Sequence, residues 1–238
     1  MKRVLITGAN RGLGLEFTRR YLERGDQVFA ACRRPESARQ LQELKAAHPA
    51  GLTIVGMDVG NIDAIRKSHA VVRSQVDGLE LLINNAGVYS VHGSEEPTKR
   101  LGELDFEDAL QVLQVNAVGP LIVAQQYLDL LRAGTKAKIV SISSGYGSIS
   151  ANTEGFPYYY SASKAAMNMY MRSLAAETKQ WGITTVLLDP GWVSTEMGGH
   201  DAPVTPEQAV DGMIQVIDGL KPRDNGRFLD WKGAEQTW

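Results

Sequence analysis

A single cysteine, Cys32, occurs among the 238 residues, so no disulfide can close within the chain. That suits a reducing compartment, and a cytoplasmic protein is expected. Long apolar runs are missing as well: the longest are strand-length, too short for a membrane-crossing helix. The N-terminus, Met-Lys-Arg-Val-Leu-Ile-Thr-Gly, meets a turn glycine after Val4, Leu5 and Ile6, too short a stretch for a secretory-signal core, so neither a secretory nor a membrane address is expected. Charge of one sign is not in surplus. The 25 Lys and Arg against 27 Asp and Glu give a net charge of -2, and the cations are scattered, which argues against a nucleic-acid partner. Histidine is scarce: His48, His69, His92 and His200 lie far apart on polar stretches and make no metal-ligand spacing with the carboxylates, so no metal is expected. Long linkers, internal repeats and low-complexity segments are also lacking.

What the chain does have is 43% hydrophobic residues, enough for a sizeable core, arranged with a regular alternation. Short β-branched or leucine-rich runs read as strands at 4–7, 27–31, 53–57, 79–84, 138–143, 184–188 and 227–230. Longer amphipathic stretches read as helices at 12–23, 36–46, 62–76, 106–131, 158–179 and 206–220. The last opens Thr205-Pro206-Glu207-Gln208, an N-cap hydroxyl with proline at the first helical position and a capping-box glutamine. Repeated βα units predict a Rossmann-type, doubly wound parallel α/β sheet in three layers, a single domain over 1–238. Ala30 and Ala31 beside Cys32 suggest a packed strand position.

The first strand runs into Gly8-Ala-Asn-Arg-Gly12-Leu-Gly14 and then directly into helical sequence. Glycines there permit a tight turn and let backbone amides approach a pyrophosphate, which the helix N-terminus attracts with unpaired N–H groups and partial positive charge. The spacing Gly-x-x-x-Gly-x-Gly differs from the commoner Gly-x-Gly-x-x-Gly. After the second strand, where an acid would read a ribose 2′-hydroxyl, the chain has Arg33 and Arg34. Guanidinium groups suit a 2′-phosphate, with Arg11 in the glycine turn as a second cation, so NADP(H) is expected over NAD(H). A solvated loop position is the plainer reading for Arg34.

Tyr160 and Lys164 stand one helical turn apart and so share a helix face. A cation beside a phenol favours phenolate and is expected to pull the tyrosine toward neutrality, readying it to exchange a proton with a substrate oxygen. Of the run Tyr158-Tyr159-Tyr160, only Tyr160 has this spacing, and the others are expected to pack or line a cleft. Pro120 lies four residues after Asn116 in a helical stretch, so its ring displaces the Asn116 carbonyl, which is left either to a water or to a kink that serves packing alone.

Thr7-Gly-x-x-x-Gly-x-Gly14, Asn84-Asn85-Ala86-Gly87, the lone Asn116, the pair Ser143-Ser144 and Tyr160-x-x-x-Lys164, in that order along nearly the whole chain, resemble the short-chain dehydrogenase/reductase family. Ser141-Ile-Ser-Ser-Gly-Tyr-Gly-Ser148 and Pro190-Gly-Trp-Val-Ser-Thr-Glu-Met-Gly-Gly199 are similar to its branch of C-factor and sniffer-type carbonyl reductases. The resemblance implies a catalytic set of Asn116, Ser144, Tyr160 and Lys164: Tyr160 protonates the carbonyl oxygen, Lys164 lowers its pKa and holds the nicotinamide ribose, Ser144 orients the substrate, and Asn116 belongs to a water relay. The interval from Ser144 to Tyr160, filled by 145–155, is longer than in many members, which keeps Ser143 as the alternative hydroxyl. Cofactor contacts are implied at Gly8, Asn10, Arg11, Gly12, Leu13, Gly14, Arg33, Asp58, Val59, Asn85, Ala86, Gly87, Tyr160, Lys164, Pro190, Gly191, Val193 and Thr195. The expected activity is hydride transfer between NADP(H) and a small-molecule ketone, aldehyde or quinone. The alternative is a regulatory or signalling protein of the same fold that binds NADP(H) with incidental catalysis. Association as a homodimer or homotetramer through the helices bearing Asn116 and Tyr160 is implied as well. The short segment 197–205, with Gly198 and Gly199, suggests a mobile cover over an open pocket.

Overall fold

The computed structural model describes residues 1–90, 100–153, 155 and 157–238; His92 of the histidine set and residue 154 of the long loop lie outside the described residues. Strands β1 (Arg3–Thr7), β2 (Gln27–Cys32), β3 (Leu52–Gly56), β4 (Leu81–Asn84), β5 (Lys138–Ile142), β6 (Thr184–Asp189) and β7 (Phe228–Asp230) form one sheet in the order β3-β2-β1-β4-β5-β6-β7. Every ladder is parallel, with Val4 of β1 level with Val28 on one side and Leu81 on the other. The strand order reverses between β1 and β4, and a doubly wound sheet opens its crevice at that point, beyond the carboxyl ends of the strands.

Why the strands read as nearly unbroken apolar runs follows from what covers them. Val4, Ile6, Val28, Ala30, Leu81 and Ile83 face α1 (Gly12–Glu23) and α8 (Pro206–Gly219), meeting Phe17, Tyr21, Val210 and Met213. Their neighbours Leu5, Phe29, Val55 and Leu82 point to the other face and meet Ile65 of α3 (Ile62–Arg73), Val123 and Tyr127. With both faces buried, period-two alternation of polarity disappears. Cys32 is buried at the end of β2, as its alanine neighbours suggested. Thr205 and Gln208 form the expected capping box at the start of α8.

Two helices differ from expectation. The stretch expected at 36–46 begins with a 3-10 turn over Pro35–Ser37, and α2 runs Arg39–Ala47. The single long helix expected at 106–131 is divided into α4 (Phe106–Leu113), a π-helical turn over Gln114–Val118, α5 (Gly119–Gln126) and α6 (Leu128–Ala133). Pro120 has no N–H to give and its ring displaces the carbonyl four residues earlier, so the chain widens and Gly119 N–H bonds the Gln114 carbonyl instead. The break between α5 and α6 falls at Tyr127, whose ring is fully buried and whose hydroxyl donates to Ser68 Oγ at 2.9 Å. Helix α7 (Tyr158–Thr178) is unbroken. Among the described residues no helix is long and apolar enough to cross a membrane.

Candidate active site

At the end of β1 the glycine turn is shaped by what its glycines touch. Gly8 has φ +66°, and a Cβ there would lie 2.8 Å from Ala86 Cα, so the turn and the segment after β4 approach backbone to backbone. A Cβ on Gly14 would collide with the Gly8 carbonyl. Asn85 clamps the turn, its Nδ2 donating to the Thr7 carbonyl at 2.9 Å and the Gly8 carbonyl at 3.2 Å, while Thr7 Oγ1 accepts from the Asn85 and Ala86 amides at 3.0 Å. The sequence reading missed Thr7; its signal is a hydroxyl buried at a strand end. Arg11, the N-cap of α1, makes no side-chain cap, so no N-cap side chain satisfies the first amides of that helix, beside exposed Asn10 and half-buried Gly12 and Leu13. These features fit a dinucleotide: a cradle that side chains would fill, next to an uncapped helix start.

Arg33 and Arg34 both lie exposed past β2. Arg11 instead bonds Glu196, an exposed pair that joins the glycine turn to the segment after β6. Asp58 Oδ1 accepts from the Gly60 amide at 2.9 Å, and Val59 packs by its backbone against Gly119, where a Cβ would come within 2.7 Å of the Val59 carbonyl. Past β6, Pro190 is buried, Gly191 has φ +76° beneath Trp231, and Val193 bridges to Val204. A Cβ on Gly12 would sit 3.6 Å from Thr195 Cγ2, so this segment and the glycine turn face each other. Thr195 Oγ1 in turn accepts from the Gly198 amide at 3.1 Å.

Next to this crevice four elements meet. Lys164 is 4% exposed and donates to the Ile142 carbonyl at 2.8 Å, with its Nζ 5.5 Å from the centroid of the Tyr160 ring. Gly87 fits between Asn116 and Lys164: a Cβ there would be 3.3 Å from Asn116 Oδ1 and 3.7 Å from Lys164 Nζ. Asn116 is fully buried. It accepts from the Val88 amide at 2.8 Å and donates to the Val88 carbonyl at 2.7 Å and Ser163 Oγ at 3.0 Å, which fixes the π-helical turn against the end of β4. The two serines diverge as alternation on a strand requires. Ser143 is buried and donates to Asn168 Oδ1 at 2.6 Å, whereas Ser144 accepts from the Tyr146 amide at 3.2 Å and its hydroxyl eases ionisation of the Tyr160 phenol. Tyr89 and Tyr146 pack on the Tyr160 ring, stacked and edge-on respectively. Tyr158 is exposed at the helix start, and Tyr159 OH accepts from the Asp105 amide.

Protonation differs from expectation. Burial pushes the Tyr160 phenol above its ordinary value, the Ser144 hydrogen bond opposes this, and the charge of Asp189 adds to the rise. Burial also pulls Lys164 down to about 8, against the attraction of Asp189. The expected fall of Tyr160 toward neutrality is therefore not what these residues produce. The ammonium is directed at the Ile142 carbonyl and its effect on the phenol is smaller than that of burial. Asp189 and the packing tyrosines were not singled out from sequence, because only the fold brings them to this helix. Among the described residues, no group of His, Cys, Asp and Glu side chains is placed to hold a metal ion.

A parallel seven-stranded sheet with a glycine turn at its switch point, and Ser144 after β5 near Tyr160 and Lys164 of α7, defines a dinucleotide-dependent oxidoreductase class. Residues 2–203 match the short chain dehydrogenase family, and the chain belongs to it. The structure is similar to the carbonyl reductase Sniffer of D. melanogaster, at TM-score 0.93 and 33% identity over 100% of both chains. It is also similar to an NADPH-bound carbonyl reductase from chicken fatty liver, at TM-score 0.92 and 35% identity over 100% of this chain and 99% of that one. The protein named C-signal of Myxococcus xanthus is 43% identical over 160 residues, 67% of this chain and 93% of the relative.

Proposed function

We propose that this protein is an NADP(H)-dependent carbonyl reductase acting on a ketone, aldehyde or quinone, with residues 1–238 working as one unit. The observation that carries this reading is buried Lys164, its Nζ 5.5 Å from the centroid of the Tyr160 ring, beside the crevice of the glycine turn. The glycine turn, the uncapped start of α1 and the exposed Arg33 support NADP(H) binding, as do the NADP-bound neighbours. NADP(H) supplies or accepts the hydride. Tyr160, whose phenol stays protonated at neutral pH, gives its proton to the substrate oxygen, and Ser144 holds that oxygen by a hydrogen bond. Lys164, an ammonium below about pH 8, favours the phenolate that remains. The exposed apolar side chains of Tyr146, edge-on to Tyr160, and of Trp192 and Met197 on the segment that faces the glycine turn favour apolar substrates. The test is NADPH oxidation against a panel of aldehydes, ketones and quinones, with Tyr160→Phe as control; no turnover with any of them removes the reading.

The relative named C-signal supports a second reading, a signalling protein of this fold. NADPH binding without turnover across the panel would favour it. Assembly as a homodimer or homotetramer is supported by Phe106 and Leu110 on α4 and Met169 and Tyr170 on α7, all exposed. Light scattering on the purified chain measures it.

A further inference from the structure

We infer that Thr237 and Trp238 are positioning residues: they hold the turn Gly145–Gly147 against Tyr160 and Lys164, and so set one wall of the substrate site. The inference rests on the carbonyl-reductase reading, in which Ser144 and Tyr146 face the substrate. After β7 the chain reverses on Asp230, whose Oδ1 accepts from the Lys232 amide at 2.9 Å and the Ala234 amide at 2.8 Å. It then runs back beside β7, with Glu235 bridged antiparallel to Leu229 and the Gln236 amide donating to the Phe228 carbonyl at 2.8 Å. That return brings the Trp238 ring onto buried Phe228, the centroids 5.7 Å apart, and beneath Arg172 of α7, whose Cζ is 4.6 Å from the ring centroid. Strand β7 and helix α7 together fix the indole.

From this anchor the segment reaches the loop after β5. The Trp238 carbonyl accepts from the Ser150 amide at 2.9 Å and from Ser150 Oγ at 2.7 Å, and Thr237 Oγ1 shares a hydrogen bond of 2.9 Å with the buried Ser148 hydroxyl. Ser148 joins this contact to the turn, because its amide donates to the Gly145 carbonyl at 3.0 Å. The turn in turn meets the site at two points. Gly147 lies so close to α7 that a Cβ would come within 3.1 Å of Lys164 Cβ and 2.9 Å of Asn168 Nδ2, and its carbonyl accepts from Asn168 Nδ2 at 3.2 Å. Tyr146 stands edge-on to Tyr160, the centroids 6.2 Å apart. The turn is a single 3-10 turn, its Gly147 amide donating to the Ser144 carbonyl at 2.8 Å, so a shift of Ser148 is passed on to Tyr146 and Ser144.

Trp238→Ala removes the anchor, and Thr237→Val removes one hydroxyl while keeping its shape. In the unliganded protein, hydrogen–deuterium exchange over residues 143–153 should become about tenfold faster in Trp238→Ala, with the glycine turn at 7–15 unchanged. In NADPH-dependent reduction, kcat/KM for a bulky aryl ketone relative to a small aliphatic aldehyde should rise about fivefold as the Tyr146 wall loosens, while NADPH affinity stays within about twofold. Trp238→Phe, which keeps a ring on Phe228, should restore both. A purely structural role lowers the melting temperature and the amount of active enzyme, and neither moves a ratio of two substrates. Unchanged exchange over 143–153 or an unchanged ratio overturns the inference. Should Trp238→Ala not fold, Thr237→Val carries the same two readouts. The parent separates the two failures: a parent without turnover removes the reductase reading, and exchange over 143–153 then decides alone whether Thr237 and Trp238 hold the turn.

Discussion

Tyr89 lies stacked on Tyr160, the ring centroids 4.8 Å apart and the planes 27° from parallel. The contact shields one face of the phenol, and burial is the main reason that this phenol is hard to ionise. Aromatic pairs contribute about 1 kcal/mol beyond their buried area. Tyr89→Ala should therefore loosen the ring and lower kcat for carbonyl reduction by about five-fold, with the alkaline limb moved to lower pH as water reaches Tyr160. Steady-state kinetics across pH measure both, and an unchanged kcat would show that the stack does not orient the phenol.

The serines provide a paired comparison. Ser144→Ala removes the hydroxyl that eases ionisation of Tyr160 and is expected to lower kcat by about 100-fold with little change in melting temperature. Ser143→Ala leaves the buried Asn168 Oδ1 without its 2.6 Å donor, which costs about 1–3 kcal/mol of stability and touches kcat less. Activity assays with thermal melts decide, and the reversed pattern would give the catalytic hydroxyl to Ser143.

Lys164 sets a stability that depends on pH. Burial lowers it to about 8 in the folded chain from 10.5 when unfolded. Between those values the unfolded chain binds the extra proton, so stability rises with pH across that window and the penalty for burying the ammonium is fully felt below about pH 8. Lys164→Met should be more stable than the parent at pH 7 by about 1–3 kcal/mol, offset partly by the unpaired Ile142 carbonyl, and inactive. The advantage should shrink as pH rises through the window. Denaturant melts without cofactor at several pH values test this; a constant difference would contradict it.

Arg33 is exposed and placed past β2, where a 2′-phosphate would be met. Arg33→Ser should cut the preference for NADPH over NADH by about 10- to 100-fold, the worth of a charge-assisted hydrogen bond. Glu196→Gln should raise NADPH affinity by releasing Arg11 from its exposed partner. If the parent enzyme favoured NADH by about tenfold in kcat/KM, neither arginine would read the phosphate.

Much of the fold was legible because its causes are local. The apolar runs of β1 to β6, the capping box at Thr205 and the tight turn at Gly8 each depend on a few adjacent residues and their backbone preferences. Tyr160 and Lys164 could be paired because a helix repeats every 3.6 residues or so. Pro120 announced a disturbed helix at Asn116 for the same reason. That the disturbance is a π-helical turn also involves the close approach of Val59 to Gly119, a contact between segments far apart in the chain.

By itself, then, the sequence determined the order of the elements, the glycine turn at the end of β1 and the spacing of the phenol and ammonium. Only the tertiary structure decided that Ser143 turns to Asn168, what Arg11 pairs with and which groups of the site are buried. Chain periodicity places side chains on faces, whereas burial and the charge of Asp189 reach Tyr160 through space, from elements the sequence does not place side by side.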